Sequence, residues 1–185
     1  DIRNLTLQGA TSGFTLMRFG GGFGFGFNAA AQPEGGGAIR WRSDGQLNLD
    51  TLQIRNNATL GAQAHGGALF LRSGVVNILN STLTGNSTGF SHNVYGGEGT
   101  GGAIYVGTAT VTIQNSLINN NVTLGRAAHG GAIYNRQGVV TLSNSTVGGN
   151  RAFGLGSQGG GIYIANGSLF ANGTAIFQNA TGGLN

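Results

Sequence analysis

Hydrophobic residues in this chain alternate with polar residues over short stretches that return at regular intervals. The clearest stretches are residues 47–49, 76–78, 111–113 and 140–142. Alternation with period two is typical of a β-strand whose first and third residues face the same side. No stretch combines helical periodicity with start and stop signals. The pattern predicts an all-β protein.

A five-residue motif marks the interval between these strands. It reads Gly-Gly-Ala followed by Ile or Leu and then Arg, Phe or Tyr, and it begins at Gly36, Gly66, Gly101 and Gly130, with a Gly-Gly-Gly-Ile-Tyr variant at Gly159. Successive motifs start 30, 35, 29 and 29 residues apart. A constant period of this size indicates a solenoid, in which each repeat is one coil resting on the next. We expect a parallel β-helix of about five to six coils with three short strands per coil.

Equivalent positions of adjacent coils should stack at about 4.8 Å, the spacing between paired strands. Ile104 should therefore lie directly against Ile133. The inward column of the first strand is predicted to be Ile39, Leu69, Ile104, Ile133 and Ile162. A ladder of side-chain amides is predicted at one bend, formed by Asn57, Asn86, Asn121, Asn150 and Asn179.

The amino-acid composition narrows the classes of protein to which this chain could belong. The chain has 38 glycines, one proline, no cysteine and a net charge of +4 carried by nine arginines and five acids. The periodic glycines favour one folded domain over residues 1–185, with a Gly/Phe-rich insertion or end-cover at 14–31. Disulfides and cysteine-based zinc sites are excluded, and we expect no cofactor and no metal. Without a dense basic patch or an apolar run of about 20 residues, we expect neither nucleic-acid binding nor membrane insertion.

The repeats resemble those of chlamydial polymorphic membrane proteins, which pair GGA[ILV] with a later Phe-x-x-Asn. Here Gly101-Gly-Ala-Ile104 is followed by Ile118-Asn-Asn-Asn121, and Gly130-Gly-Ala-Ile133 by Val147-Gly-Gly-Asn150, with an aliphatic residue in place of Phe. Similar repeats occur in bacterial autotransporter passengers and adhesins. The resemblance implies a right-handed β-helix at the cell surface or outside the cell.

Two sets of side chains are candidates for binding. An outward row of aromatic residues is predicted in the first strand, suited to stacking on sugar rings or packing against a protein, and equally typical of stacking that stabilises a sheet. Three arginines align six residues after the first glycine of their repeats, where they form either a site for an acidic glycan or a solvated turn. The aromatic row is Phe70, Tyr105, Tyr134 and Tyr163, preceded by Arg40, and the arginines are Arg42, Arg72 and Arg136.

Catalysis is a weaker prediction. By resemblance to pectate lyases and related hydrolases, an enzyme on this fold is expected to cleave polysaccharides with paired carboxylates or with acids that hold calcium. Glu34 and Glu98 are expected two coils apart, as are His65 and His129, which is too far for either pair to act together.

A Thr/Asn column resembles the flat faces of ice-binding solenoids, although asparagine interrupts it. That column comprises Thr6, Asn48, Asn77, Thr112 and Thr141.

The ends of the chain suggest assembly. Leu5-Thr-Leu7 matches the second strand of a coil, and Thr181-Gly-Gly-Leu184 begins a new first strand. Copies that stack head to tail would complete a coil at each junction. The predicted assembly residues are Leu5, Leu7, Phe23, Phe25, Phe27, Gly182, Gly183 and Leu184.

The sequence therefore favours a non-enzymatic extracellular or cell-surface solenoid whose partner is another copy of itself in a filament. Two alternatives remain open. One is part of a longer adhesin or autotransporter passenger that binds glycan or a host surface, and the other is a polysaccharide lyase or hydrolase.

Overall fold

The computed structural model describes residues 1–10, 35–60, 63–89 and 98–183, together with the backbone of two strands, Phe14–Phe19 and Gly22–Phe27. These residues form strands joined by turns, and most of the strands lie in four parallel sheets. Each sheet takes one strand from every successive coil, here called a rung. The predicted all-β parallel β-helix is confirmed.

The strands fall into six rungs, of which rung 1 is partial. Rung 1 contains β1 (Ile2–Arg3) and β2 (Thr6–Gln8), and a hairpin of β3 (Phe14–Phe19) and β4 (Gly22–Phe27) follows it. Rung 2 contains β5 (Ile39–Trp41), β6 (Gln46–Asp50), β7 (Gln53–Arg55) and β8 (Ala58–Thr59). Rung 3 contains β9 (Leu69–Leu71), β10 (Val75–Leu79), β11 (Thr82–Thr84) and β12 (Ser87–Thr88).

Rungs 4 to 6 repeat this order. Rung 4 contains β13 (Ile104–Val106), β14 (Thr110–Gln114), β15 (Leu117–Asn119) and β16 (Val122–Leu124). Rung 5 contains β17 (Ile133–Asn135), β18 (Val139–Ser143), β19 (Thr146–Gly148) and β20 (Arg151–Phe153). Rung 6 contains β21 (Ile162–Ile164), β22 (Ser168–Asn172), β23 (Ala175–Phe177) and β24 (Ala180–Gly182).

A complete rung has four strands, so the prediction of three was wrong. The additional strand follows the ladder asparagine and is only two or three residues long. Its inward position holds small or polar residues, so it lacks the aliphatic alternation that revealed the other strands. The inward residues of this sheet are Thr59, Thr88, Thr123, Ala152 and Thr181.

Both chain-end alignments also require correction. Leu7 pairs with Ile54 in the third-strand sheet, so Leu5-Thr-Leu7 is not a second strand, and Thr6 does not join the Asn48 column. Thr181 pairs with Ala152, which places it in a fourth strand rather than at the start of a first strand. Leu-x-Leu and Gly-Gly recur at several places in a rung, so these short motifs could be aligned in more than one register.

Aliphatic columns fill the interior as predicted. Ile104 pairs in register with Leu69 on one side and with Ile133 on the other, and all three side chains are fully buried. Burying one such side chain contributes roughly 1.5–3 kcal/mol, which backbone ordering largely offsets. Stability therefore comes from stacking one rung on the next.

The asparagine ladder is present and runs through the buried bend. In each step, the backbone N–H and side-chain Nδ2 of one asparagine donate to Oδ1 of the next, at 2.9–3.0 Å. At another bend, Asn80, Asn115 and Asn144 have φ of 49°, 50° and 48°. Asparagine tolerates this left-handed conformation better than most residues.

The Gly/Phe-rich segment forms an antiparallel hairpin, with Phe14 paired with Phe27 and Phe19 paired with Gly22. Its first strand, β3, lies beside β5 at the rung 2 edge of the first-strand sheet. The segment therefore adjoins the end of the solenoid near rung 1. Among the residues that the structure describes, no helix is long and apolar enough to span a membrane.

Candidate functional site

Four aromatic side chains stack along the first-strand sheet, and we call them the aromatic column: Phe70, Tyr105, Tyr134 and Tyr163. Successive ring centroids are 4.9, 5.5 and 5.5 Å apart, with interplanar angles of 1°, 8° and 17°. Parallel pairing of the strands places these rings face against face. The interior rings therefore have no face available to stack on a sugar.

Exposure along the column differs from the predicted outward row. Phe70 and Tyr105 are only 5% and 6% exposed, whereas Tyr134 and Tyr163 are half-buried. His65 covers the first pair, because its ring stacks on Tyr105 with centroids 4.8 Å apart. The prediction of a solvent-facing row therefore fails for Phe70 and Tyr105. Alternation along one strand shows which side chains point away from the core. It does not show whether a residue outside that strand covers them.

His65 is held between the column and a neighbouring rung. Its Nδ1 lies 2.6 Å from Oγ1 of Thr100. Burial, reinforced by the charge of Arg136, lowers the pKa of His65 to about 4. The imidazole is therefore neutral at neutral pH and acts as a hydrogen-bonding group rather than as a cation.

His129 repeats this arrangement two rungs away, with its ring centroid 4.5 Å from that of Tyr163. The bridges His65–Thr100 and Thr100–His129 confirm the predicted separation of the two histidines. Burial lowers the pKa of His129, and the charge of Glu98 opposes this shift. At the other end of the column, the guanidinium of Arg40 lies 5.6 Å from the centroid of Phe70, within range of a cation–π interaction.

The predicted arginines lie beside this column. Arg42, Arg72 and Arg136 are all exposed. Arg42 and Arg72 occupy adjacent rungs, and the charge of Arg72 adds to burial in lowering the pKa of Arg42. Two of the three, Arg72 and Arg136, line a groove of about 520 Å³ that we call the arginine groove.

The arginine groove spans rungs 3 to 5. Arg72 and Arg136 belong to its outer rungs, and Gly107 takes the corresponding position in the middle rung. A Cβ atom on Gly107 would lie 2.5 Å from the carbonyl oxygen of Arg72, so this position excludes a side chain. The full lining is Gln63, His65, Phe70, Arg72, Tyr105, Gly107, Thr108, Arg136 and Gln137.

The charge in the groove is positive. Among the described residues, no carboxylate lines it. Within the described ranges, the salt bridge found is between Arg3 and Asp1, so neither groove arginine is neutralised by a described acid. Two arginines thus border a shared polar space without a salt bridge to a described acid, an arrangement that attracts anions.

The residues considered for catalysis are not brought together by the described structure. Glu98 is exposed and close enough to His129 for its charge to oppose the lowering of that pKa by burial, while Glu34 lies outside the described residues. Across the residues that the structure describes, no group of three His, Cys, Asp or Glu side chains could hold a metal ion.

Rung 6 exposes apolar side chains at the end of the solenoid. Ile176 is 48% exposed, although the residue at the same position in each rung from 2 to 5 is fully buried. Leu5 is exposed, and Leu7 packs partly against the core. Of the other predicted assembly residues, Gly182 ends β24, Gly183 is exposed, and Leu184 and the side chains of Phe23, Phe25 and Phe27 lie outside the described part.

Sequence reasoning missed the roles of His65 and Gly107. Both were visible in the aligned repeats, since His65 directly precedes its Gly-Gly pair and Gly107 interrupts the arginine column. The alignment of the repeats did not indicate that the two residues line one groove.

Comparisons with family models, curated proteins and solved structures find no match to this chain.

Proposed function

We propose that this chain is a non-enzymatic structural and adhesive β-solenoid that works outside the cell or at its surface. In this proposal, its last rung stacks on the first rung of a second copy. The observation that carries the proposal is the exposure of Ile176 at a position that is fully buried in rungs 2 to 5. Exposed apolar rungs with unpaired strand edges favour association with another rung.

Head-to-tail stacking uses two different surfaces and therefore extends into filaments rather than closing into a dimer. The asparagine ladder supplies a sharp test. Asn179 ends the ladder, and its backbone N–H has no acceptor among the described residues. Ala10 holds the ladder position in rung 1 and donates its N–H to Oδ1 of Asn57, but it has no side-chain oxygen for a copy stacked against it.

Light scattering coupled to size exclusion, with electron microscopy of the same fractions, tests the proposal. The chain should form concentration-dependent linear oligomers. Ile176→Arg should reduce them, whereas Leu155→Arg, at another exposed apolar residue, should not. Ala10→Asn should strengthen association by supplying the missing acceptor. A monodisperse monomer at all concentrations, or equal effects of the two arginine variants, would contradict the proposal.

The arginine groove supports a second candidate function, adhesion through a bound glycan. It is a polar, positively charged depression of a size common for small-ligand sites. This function is compatible with the first, since a filament of such subunits would display many identical grooves and gain avidity. A polysaccharide-cleaving activity has less support, because no described acid, Glu98 included, lines the groove.

A further inference from the structure

We propose that the arginine groove binds one anionic sugar unit, a pyranose that carries a carboxylate or a sulfate ester. This inference rests on the adhesive part of the proposed function and specifies its ligand class. It does not depend on end-to-end stacking, because the groove lies on the side of rungs 3 to 5.

The gap between the two arginines is built into the backbone. Rungs are spaced by about 4.8 Å, so Arg72 and Arg136 originate about 9–10 Å apart. Gly107 cannot be replaced by a larger residue without collision with the Arg72 carbonyl. The opening between the guanidinium groups therefore follows from how the rungs pack. Gly107 has no side chain that could fill it.

The charges at this opening select for an anion. Arg72 and Arg136 carry no salt bridge to a described acid, and no described acid lines the groove. Guanidinium groups bind carboxylate and sulfate oxygens through paired N–H donors. A bound anion would also relieve the repulsion between the two cations.

The neutral lining selects for a hydroxylated ligand. Gln63 and Gln137 are exposed at the groove and offer amide groups to sugar hydroxyls, while Thr108, whose hydroxyl donates to the carbonyl oxygen of Arg72 at 3.1 Å, offers its oxygen as an acceptor. A nucleotide is less well matched, since nucleobases are held mainly by stacking on exposed aromatic faces. Tyr105 has its faces occupied by Phe70 and Tyr134 within the column.

Calorimetric titration with defined oligosaccharides tests the inference. The probes are a trigalacturonate, its fully methyl-esterified form, a sulfated heparin tetrasaccharide and a hexathymidine oligonucleotide. We expect the acidic sugars to bind, the neutral ester to bind at least about tenfold more weakly, and the oligonucleotide to bind no better than the ester. The heparin tetrasaccharide carries carboxylates as well as sulfates, so tighter binding of heparin than of trigalacturonate would assign sulfate as the preferred anion.

Matched variants locate the site. Arg72→Ala and Arg136→Ala should each weaken acidic-sugar binding about tenfold, the effect of one lost charge-assisted hydrogen bond. Arg126→Ala removes the same charge from an exposed loop outside the groove and should change affinity less than about twofold. Circular dichroism confirms that the variants fold.

Three results with the sugar ligands would overturn the inference. These are equal losses in the Arg126 and Arg72 variants, equal binding of acid and ester, and no acidic-sugar binding up to about 10 mM, the range of very weak affinity. Preferential binding of the oligonucleotide would also overturn it, in favour of a nucleic-acid site. None of these results bears on filament formation, which is measured by light scattering without ligand, so the two proposals fail separately.

Discussion

Asn121 and Asn150 lie in adjacent rungs and are joined by two hydrogen bonds to a single oxygen. The backbone N–H and the side-chain Nδ2 of Asn121 both donate to Oδ1 of Asn150, at 2.9 and 3.0 Å. Asn121 also donates to the carbonyl oxygen of Leu83 and accepts two bonds from Asn86. All hydrogen-bonding groups of a fully buried amide are thus used along the solenoid axis.

Replacing Asn121 with alanine should destabilise the protein by about 2–4 kcal/mol, because the buried N–H of Asn86 loses its acceptor and the carbonyl of Leu83 loses its side-chain donor. Urea denaturation followed by circular dichroism measures the loss.

Asn77→Ala is the matched control for this change. Asn77 lies half-buried on an outer face and donates one side-chain bond to Asn48 at 2.8 Å. Its loss should cost less than about 1 kcal/mol because water can replace the bond. Equal costs at the two positions would show that the buried ladder stabilises the fold no more than a surface amide pair does.

Gly102→Ala should prevent folding or cost more than about 3 kcal/mol. A Cβ at Gly102 would collide with the carbonyl oxygen of Gly131 and lie 2.7 Å from the backbone N of Val122. Both contacts are with the backbone, so no side chain can move aside. Gly183→Ala is the control, since its Cβ would meet nothing within 4 Å. Soluble yield and thermal melting compare the two, and a native-like Gly102 variant would contradict the close approach of the rungs.

Stability should fall as the pH is lowered from about 6.5 to about 4. The pKa of His65 in the folded protein is about 4, below its ordinary value of 6.5, so the unfolded chain binds the proton more readily within this interval. The stabilisation is fully present above pH 6.5 and is lost as the pH approaches 4. The expected loss from His65 is about 1–3 kcal/mol.

Urea midpoints between pH 4 and pH 7 measure this effect, and His65→Phe identifies its source. Phenylalanine retains a ring beside Tyr105 but does not titrate, so the pH dependence of the midpoint should become flatter. His129→Phe should flatten it as well, since burial lowers that pKa in the same direction. An unchanged slope in His65→Phe would show that other groups govern the pH dependence.

The rung architecture was predictable because its signal is repeated. Each Gly-Gly-Ala motif indicates the same register, and the predicted stacking of Ile104 on Ile133 is confirmed. The fourth strand was not predictable from alternation, since Ala58–Thr59 and Ser87–Thr88 span only two residues. A column of small inward residues two positions after the ladder asparagine was its one visible sign.

The site was predictable only as separate parts. The aromatic and arginine columns follow from the alignment, but the burial of Tyr105 depends on His65, which reaches it from the preceding rung. Likewise, Arg72 and Arg136 border one groove only because Gly107 lies between them. Such relations depend on lateral side-chain packing, which period and alternation do not encode.

Gly107 illustrates how a regular column of side chains can acquire a recognition surface where one side chain is missing. Wherever a column of long side chains runs along a solenoid, one glycine creates a notch whose width is set by the spacing of the rungs rather than by loop conformation. Moving that glycine by one repeat would shift the notch along the axis by a fixed step. Such a notch therefore arises from one residue at one position of a repeat, without an inserted or rebuilt loop.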